Sequence, residues 1–292
     1  MFELIHAGKN TYYIESPVRV GIYNTGDGNV FLYDTGSSKD MGRRILRIVQ
    51  ENGWNVRGII NSHAHADHTG GNNFVQQRTG CPVYASETDP MFLQEPEFEP
   101  AFLFGGKPSR EIKCRFLMAK PSSALPLRED LLPEGLSILP LPGHTFHMVG
   151  MRTKDDVLFL ADLLTSAEIL QKYHVSFLYD IHAYLETLTM AESLEAQLFV
   201  LSHAAATENI QSLIQLNRNK VYEIAERLLM ICKSPQCTDE IIRMIFTIYG
   251  MKMDFSQYVL VGSTLRSYLT YLHEEGQIDV DCSENMLRWK TI

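Results

Sequence analysis

A short polar segment holds the residues with the clearest capacity for chemistry: three histidines and an aspartate within six positions. They are His63, His65, Asp67 and His68, and they follow the apolar segment GIIN. Alternate residues of an extended segment project to the same side, so His63 and His65 can bind one cation while Asp67 and His68 face a second. Imidazoles and carboxylates suit zinc, iron or manganese. The spacing predicts a metal site rather than a solvated turn.

Four side chains cannot complete two metal sites, so further ligands must come from elsewhere. Candidates end three later apolar segments: His144 in LPLPGHTFH, Asp162 in VLFLADLL and His203 in LFVLSH. A carboxylate is expensive to bury unpaired in an apolar run, and coordination to a cation would remove that cost. Taken alone, Asp162 could instead be a capping or salt-bridged acid. Together with the histidine cluster, it favours metal binding.

The elements that must position these residues can be read from the hydrophobic pattern. Residues 1–35 alternate like antiparallel strands, and a helix at about Asp40 to Asn52 leads to the strand before His63, which predicts a βαβ unit. Short strands also precede the later ligands. The segment Met91 to Ala119 is rich in Phe and Pro. We predict a loop or lid there; the alternative is a surface insertion that packs its own aromatic side chains.

The motif HAHADH, followed in order by His144, Asp162 and His203, resembles the metallo-β-lactamase fold superfamily in its dinuclear hydrolase form. The resemblance covers roughly residues 1–205. It implies an α/β fold, a four-layer αββα sandwich with the metals at one edge. It also implies that Asp34, in the DTG after an early strand, orients ligands. The resemblance further implies which residues bind each metal. Metal one would be bound by His63, His65 and His144. Metal two would be bound by Asp67, His68 and His203, and Asp162 would bridge the two metals.

The same resemblance implies a hydrolase with two divalent cations, most simply zinc, with iron or manganese as alternatives. Two adjacent cations would lower the pKa of a bridging water and polarise the substrate oxygen, and Asp67 would accept or relay the proton. We expect a small ester, thioester or lactone as substrate, as in glyoxalase II. The flavodiiron branch of the fold has a carboxylate where His65 stands and needs a flavin domain, so it fits this sequence poorly.

Composition changes after His203, and we predict a catalytic domain over residues 1–206 and a mostly helical domain over residues 207–292. Its end resembles a winged helix, with Leu265, Leu269 and Leu272 on one helix face. Some relatives with such a tail cut single-stranded RNA, so a metal-dependent endoribonuclease is the alternative function. Residues 207–292 contain nine Lys or Arg and eleven Asp or Glu, which disfavours nucleic acid as a partner. Packing or homodimer formation is the preferred role.

The whole-chain composition sets the remaining expectations. The 292 residues carry a formal charge of −9, and no apolar stretch approaches the length of a membrane span. Five scattered cysteines suit free thiols in a reducing compartment, and the first residues do not resemble an export signal. We therefore expect a soluble, cytoplasmic protein with a small-molecule substrate and no membrane partner. A non-catalytic metal sensor is disfavoured by the complete ligand set. Residues that could line the pocket are His147, Tyr173, His174, Tyr179, His182 and Tyr184.

Overall fold

Two β-sheets form the centre of the protein, whose computed structural model describes residues 2–292. The first sheet has seven strands in chain order: β1 (Leu4–His6), β2 (Thr11–Ile14), β3 (Val20–Asn24), β4 (Asn29–Tyr33), β5 (Asn55–Ile60), β6 (Val83–Ala85) and β7 (Ala124–Pro126). The second sheet has four strands, here in chain order: β8 (Leu136–Pro140), β9 (Val149–Thr153), β10 (Val157–Phe159) and β11 (Leu198–Val200). Their spatial order is β11-β10-β9-β8.

The helices lie between and after these strands. Those of the first two-thirds of the chain are α1 (Lys39–Glu51), α2 (Ala66–Thr69), α3 (Asn72–Thr79), α4 (Asp89–Gln94), α5 (Phe98–Phe104), α6 (Ala167–Tyr173) and α7 (Ile181–Ala191). The last part contains α8 (Gln211–Ile231), α9 (Thr238–Ile248) and α10 (Phe255–Glu274), followed by an antiparallel hairpin of β12 (Ile278–Asp281) and β13 (Arg288–Thr291).

Successive side chains of a strand point to opposite faces of the sheet, so they pack in two different layers of the hydrophobic core. In β4, Val30 and Leu32 pack toward the cluster that contains the buried face of α1, whereas Tyr33 turns toward the second sheet. The Tyr33 ring lies 5.4 Å from the Phe159 ring in β10, and its hydroxyl donates to the carbonyl of Val149 at 2.5 Å. These contacts fix the two sheets face to face.

The predicted αββα arrangement is confirmed. Helices α1 and α3 cover the outer face of the first sheet, and Ile181 and Leu188 of α7 pack in the same cluster as the β10 side chains. The predicted strand run is also confirmed, because β1 to β4 pair antiparallel. The predicted βαβ unit is β4, α1 and β5, with β4 and β5 parallel. Ser38 caps α1 by accepting a hydrogen bond from the N–H of Met41.

The prediction of a loop over Met91 to Ala119 was wrong in part, because α4 ends inside this segment and α5 lies wholly within it. Its aromatic side chains do pack on one another, with the rings of Phe92 and Phe102 at 6.4 Å. The segment also contacts the C-terminal helices, since the Phe104 ring lies 5.9 Å from that of Phe255. Contacts with these aromatic partners stabilise helical turns that proline and phenylalanine content alone does not suggest.

The C-terminal helices share a hydrophobic core with the sandwich. Buried side chains of α8 and α10 belong to the same cluster as those of β10 and α7. Leu265, Leu269 and Leu272 are all buried there, as the helical spacing predicted. The division at residues 206 and 207 stays a prediction. Within residues 2–292, the helices are too short or too polar to cross a membrane.

Candidate metal centre

The predicted ligands meet at one edge of the sandwich because each follows the end of a strand. His63 comes shortly after β5, His65 lies directly before α2, and Asp67 and His68 lie within α2. Strands β10 and β11 are parallel with Phe159 opposite Val200, so Asp162 and His203, each three residues further on, arrive side by side. His144 follows β8. The topology therefore collects residues from four separate strand ends.

The seven side chains form two adjacent groups whose ligand atoms lie within 4.8 Å of one another in each group. The first ligand group is His63, His65 and His144. In it, Nδ1 of His65 lies 2.9 Å from Nε2 of His63 and 3.1 Å from Nε2 of His144. The second ligand group is Asp67, His68, Asp162 and His203.

Asp162 occupies the position between the two groups. Its Oδ1 lies 2.9 Å from Nε2 of His68, and its Oδ2 lies 3.1 Å from Nε2 of His203. The same Oδ2 is 3.5 Å from Nε2 of His144 in the first ligand group. Asp67 is more peripheral, with Oδ2 at 3.7 Å from His203 and 4.0 Å from His68. A carboxylate that reaches both groups is placed as a bridge would be.

Hydrogen bonds behind the site select which imidazole nitrogen faces it. Nδ1 of His68 lies 2.7 Å from Oδ2 of Asp34, which leaves Nε2 toward Asp162. The Ser62 hydroxyl donates to Oδ2 of Asp34 at 2.7 Å, so Nδ1 of His63 can donate to the Ser62 oxygen at 2.9 Å. Nδ1 of His144 donates to the carbonyl of Phe177 at 3.0 Å. Three of the histidines thus present Nε2 to the centre.

The backbone around the site accepts unusual geometry to achieve this placement. Asp34 has φ of 61°, a left-handed conformation that side-chain hydrogen bonds can hold. Its carboxylate also accepts the N–H of Ser62 at 2.8 Å. Gly143 has φ of 120°, and a Cβ there would lie 2.4 Å from the backbone nitrogen of Tyr184. Glycine is therefore required directly before His144.

The two ligand groups differ in their electrostatics. Burial holds the pKa values of His63 and His65 well below the usual imidazole value, and burial also lowers the pKa of His144. Burial disfavours a charged His68 as well, but the surrounding carboxylates outweigh it and raise the pKa of His68 well above its usual value. Asp162 raises the pKa of His203. The surroundings of the first ligand group therefore favour neutral imidazoles, whereas the carboxylates of the second favour the protonated form of its histidines.

The side chains fit a pair of bound cations. Nε2 of His68 and Oδ1 of Asp162 are buried and lie 2.9 Å apart as an ion pair, but they are not aligned as donor and acceptor, so neither is satisfied by a hydrogen bond within residues 2–292. Such orphaned buried atoms are rare unless a ligand satisfies them. Nitrogen ligands of tetrahedral zinc lie about 3.3 Å apart, given zinc–nitrogen bonds of about 2.0–2.1 Å. The spacings of 2.9 and 3.1 Å in the first ligand group are near that value.

A cavity of about 480 Å³ adjoins the site. Side chains from both ligand groups line one part of it, among them His65, Asp162 and His203. Much of the remaining wall is apolar and comes from α6, the segment after it, α8 and α10. Its volume is within the range of pockets that bind small molecules. The C-terminal helices therefore contribute directly to the space in front of the candidate metal centre.

Only some of the further histidines and tyrosines that the sequence suggested as pocket residues lie at the site. Tyr184 lines the cavity, but its hydroxyl donates to the carbonyl of Leu163 at 2.8 Å. Tyr173 lines the cavity and is 47% exposed. Tyr179 packs on Phe146 and lines a smaller pocket that also contains His65. The other three lie elsewhere: His147 faces Glu87, His174 stacks on Tyr249, and His182 is on the surface near Glu186.

Two residues near the site were not predicted. Ser62 links Asp34 to His63, and its position directly before the motif was the available signal. Glu99 of α5 lies with Oε1 at 3.5 Å from Nε2 of His65. Burial, with help from Asp89 and Asp67, raises the pKa of Glu99 to about 8. The sequence offered an indication of Glu99 too, because it is an acid within the apolar run FEPAFLF, just as Asp162 is an acid within FLADLL.

Comparison with known proteins agrees with this geometry. The family described as the metallo-beta-lactamase superfamily matches residues 10–203. The probable metallo-hydrolase YqgX of Bacillus subtilis (strain 168) is 28% identical over 158 residues, or 53% of this chain and 67% of that protein. The hydroxyacylglutathione hydrolase of Rhodospirillum rubrum is 41% identical over 39 residues, which cover 13% of this chain and 15% of that protein.

Solved structures extend the similarity of the fold to the C-terminal helices. A beta-lactamase domain protein from Burkholderia ambifaria superposes with a TM-score of 0.78 at 17% identity, covering 99% of this chain and 94% of that chain. A metallo-beta-lactamase family protein from Thermus thermophilus gives a TM-score of 0.70 at 18% identity, covering 100% of this chain and 98% of that chain. The shared architecture therefore includes the region after residue 206.

Proposed function

Because the chain belongs to the metallo-beta-lactamase superfamily, we propose that this metal-dependent hydrolase uses two divalent cations to cleave a small ester, thioester or lactone. The observation that carries the proposal is the position of Asp162, whose carboxylate contacts His68 and His203 and reaches His144 of the other group. One carboxylate between two sets of imidazoles is the arrangement expected of a dinuclear centre.

The proposed ligands keep the roles that the sequence suggested. His63, His65 and His144 would hold one cation, Asp67, His68 and His203 the other, with Asp162 common to both. When bound, the cations would supply a water of lowered pKa and polarise the substrate oxygen. Zinc suits these ligands best, and iron and manganese are the alternatives to be measured.

The chain's own groups would orient the reaction. Asp34, Ser62 and the Phe177 carbonyl hold the imidazole rings in the orientations described above. The Asp67 side chain is 39% exposed and lines the cavity, so it is the carboxylate placed to accept or relay a proton. The apolar walls would exclude bulk water around the scissile group.

The cavity supports a small substrate over an RNA strand. A nuclease must contact several phosphates with Lys or Arg. Among the residues that line the cavity, Lys220 is the basic one, and its ammonium already lies 2.9 Å from Oε2 of Glu223. The likeness to a hydroxyacylglutathione hydrolase, though short, favours a thioester within the proposed class.

A substrate panel with metal-loaded protein tests the proposal. Thioester, ester, lactone, phosphodiester and single-stranded RNA substrates should be assayed alongside elemental analysis of the same sample. We expect turnover of at least one member of the first three classes, with about two metal equivalents per chain. Cleavage restricted to RNA or phosphodiesters, or one equivalent after reconstitution with each metal in turn, would contradict it.

A further inference from the structure

The cavity beside the candidate metal centre has more room than the reacting bond itself requires. A volume of about 480 Å³ has space for on the order of 15 water-sized groups, given about 30 Å³ for each. One part of the cavity wall comes from α8 and α10, which follow all the candidate ligands in the chain. It includes Val221, Ile224 and Leu260. Val221 and Ile224 are each only 2% exposed. This part of the cavity can accommodate an apolar chain.

Charge at these helices is internally balanced. Lys220 of α8 pairs with Glu223, and the Tyr249 hydroxyl donates to the other oxygen of Glu223 at 2.9 Å. Neither charge is therefore free to select a charged group of opposite sign. An uncharged substrate moiety agrees better with this environment than a carboxylate or a phosphate, whose desolvation would be uncompensated.

One polar group on this wall is left without a partner. Tyr268 of α10 lines the cavity and is 1% exposed. The hydroxyls of Tyr184, Tyr249 and Tyr258 each donate a hydrogen bond to a protein oxygen. The Tyr268 hydroxyl makes no such bond among residues 2–292, and its oxygen is not fully enclosed, so it is open to the cavity. A buried tyrosine hydroxyl usually has an acceptor. An oxygen on the bound molecule would provide it.

From these observations we propose that the cavity binds the acyl group of the substrate, a medium-length, uncharged, largely apolar chain that carries a keto or hydroxyl oxygen accepting a hydrogen bond from Tyr268. The inference rests on the proposed hydrolysis of esters or thioesters. It makes α8 and α10 the elements that determine chain-length specificity, whereas the strand ends provide the chemistry.

A series of acyl thioesters of N-acetylcysteamine, from acetyl to dodecanoyl, tests the chain length. With metal-loaded full-length protein, kcat/KM should rise by about fourfold per methylene, the value expected for burying each CH₂, and pass through a maximum at the chain length that fills the cavity. A flat dependence with measurable turnover would overturn the acyl-chain inference while leaving the hydrolase proposal intact. No turnover of any ester, thioester or lactone, with phosphodiester cleavage present, would overturn both.

Substitutions in α8 test the location of the chain. Ile224→Trp should lower the ratio of octanoyl to acetyl kcat/KM by more than tenfold, because the indole would occupy the part of the cavity beside α8. Met230→Trp is the matched control on the exposed face of the same helix, where Met230 is 58% exposed, and should leave the ratio unchanged. Ile224→Ala provides a second test if the larger residue prevents folding, and should move the maximum to longer chains. Equal ratios in the Ile224 variants and the control would refute the location.

The Tyr268 contact is tested by removing one oxygen. Tyr268→Phe should lower kcat/KM for keto- or hydroxyoctanoyl thioesters by roughly two- to tenfold, the range expected for one hydrogen bond, and that for plain octanoyl by less than twofold. Tyr222→Phe, at a position 45% exposed on α8, is the control. The same effect of Tyr268→Phe on oxygenated and plain chains would exclude a specific hydrogen bond to the chain.

Discussion

The two ligand groups lie side by side but differ in chemistry. The first ligand group contains only imidazoles, and burial keeps their pKa values low. The second ligand group contains two carboxylates, and its histidines have raised pKa values because those carboxylates surround them. Lowered pKa values reduce the competition between protons and a cation at the first ligand group, and raised pKa values increase it at the second. We therefore expect the two ligand groups to differ in their affinity for a cation.

The largest expected effect comes from the residue that joins the groups. Asp162→Ala should lower turnover by about a thousandfold or more, since several kcal/mol of charge stabilisation depend on the cations it would bridge. It should also reduce both metal equivalents and destabilise the fold by about 3 kcal/mol, because His68 and His203 lose their buried counter-charge. Metal analysis and the melting temperature measure these changes.

The control for Asp162→Ala is Asp40→Ala, which removes a carboxylate on α1 whose side chain is 75% exposed. It should leave metal content and turnover unchanged. An Asp162→Ala protein that kept both metals and its melting temperature would show that this residue does not connect the two groups.

A substitution within the second ligand group should show whether the two groups bind their cations separately. Asp67→Ala should lower turnover by about a hundredfold or more, the scale of a lost proton-transfer group, while one tightly bound metal equivalent remains. His144→Ala is the matched variant in the first ligand group. Competition with a chelator, measured for both variants, would reveal whether each loses a different equivalent. Simultaneous loss of both metals from Asp67→Ala would contradict independent groups.

The pH dependence of metal binding should also differ. Raised pKa values of His68 and His203 mean that both protons remain bound until higher pH and must leave when a cation binds. Affinity at the second ligand group should then fall by up to about 100-fold per pH unit on acidification, tenfold for each proton. The first ligand group, whose imidazoles stay neutral to lower pH, should keep its cation longer. Calorimetric titration with zinc from pH 8 to pH 5 measures the two steps.

The smallest expected effect comes from a residue that supports a ligand by a hydrogen bond. Asp34→Asn removes the charge that faces Nδ1 of His68 at 2.7 Å while asparagine tolerates the left-handed φ of 61°. Affinity of the second ligand group should fall by about tenfold, the lower end of the range for such supporting residues. Because asparagine can keep the backbone conformation, the melting temperature should be unchanged, and this measurement serves as an internal control. A stronger effect on the first ligand group than on the second would show that the Ser62 link dominates.

Much of the fold could be predicted because the signals are local. The alternation in β2 to β4 and the helical spacing of α1 depend only on neighbouring residues, and both elements formed where the pattern placed them. The segment from Met91 to Ala119 was less readable. Its helices are short, and the rings of Phe102 and Phe104 contact those of Phe146 and Phe255, which are distant in the sequence. Local propensity carries little information when stability comes from such contacts.

The sequence by itself determined which chemistry is available. His63, His65, Asp67 and His68 form a metal-binding motif by type and spacing, and His144, Asp162 and His203 each stand out as polar residues ending apolar strands. The assignment of these residues to two metals came from the resemblance of the motif order to a known family, because the strands that carry them belong to two different sheets.

The tertiary structure alone decided how the two groups differ and what lies in front of them. The pKa of a buried histidine depends on which carboxylates the fold places around it, as Asp34 and Asp162 are placed around His68. The cavity wall likewise combines His65 with Ile224 and Tyr268, residues of separate elements far apart in the chain. Electrostatic fields and cavity shape arise from distances between such residues, and one-dimensional spacing does not contain those distances.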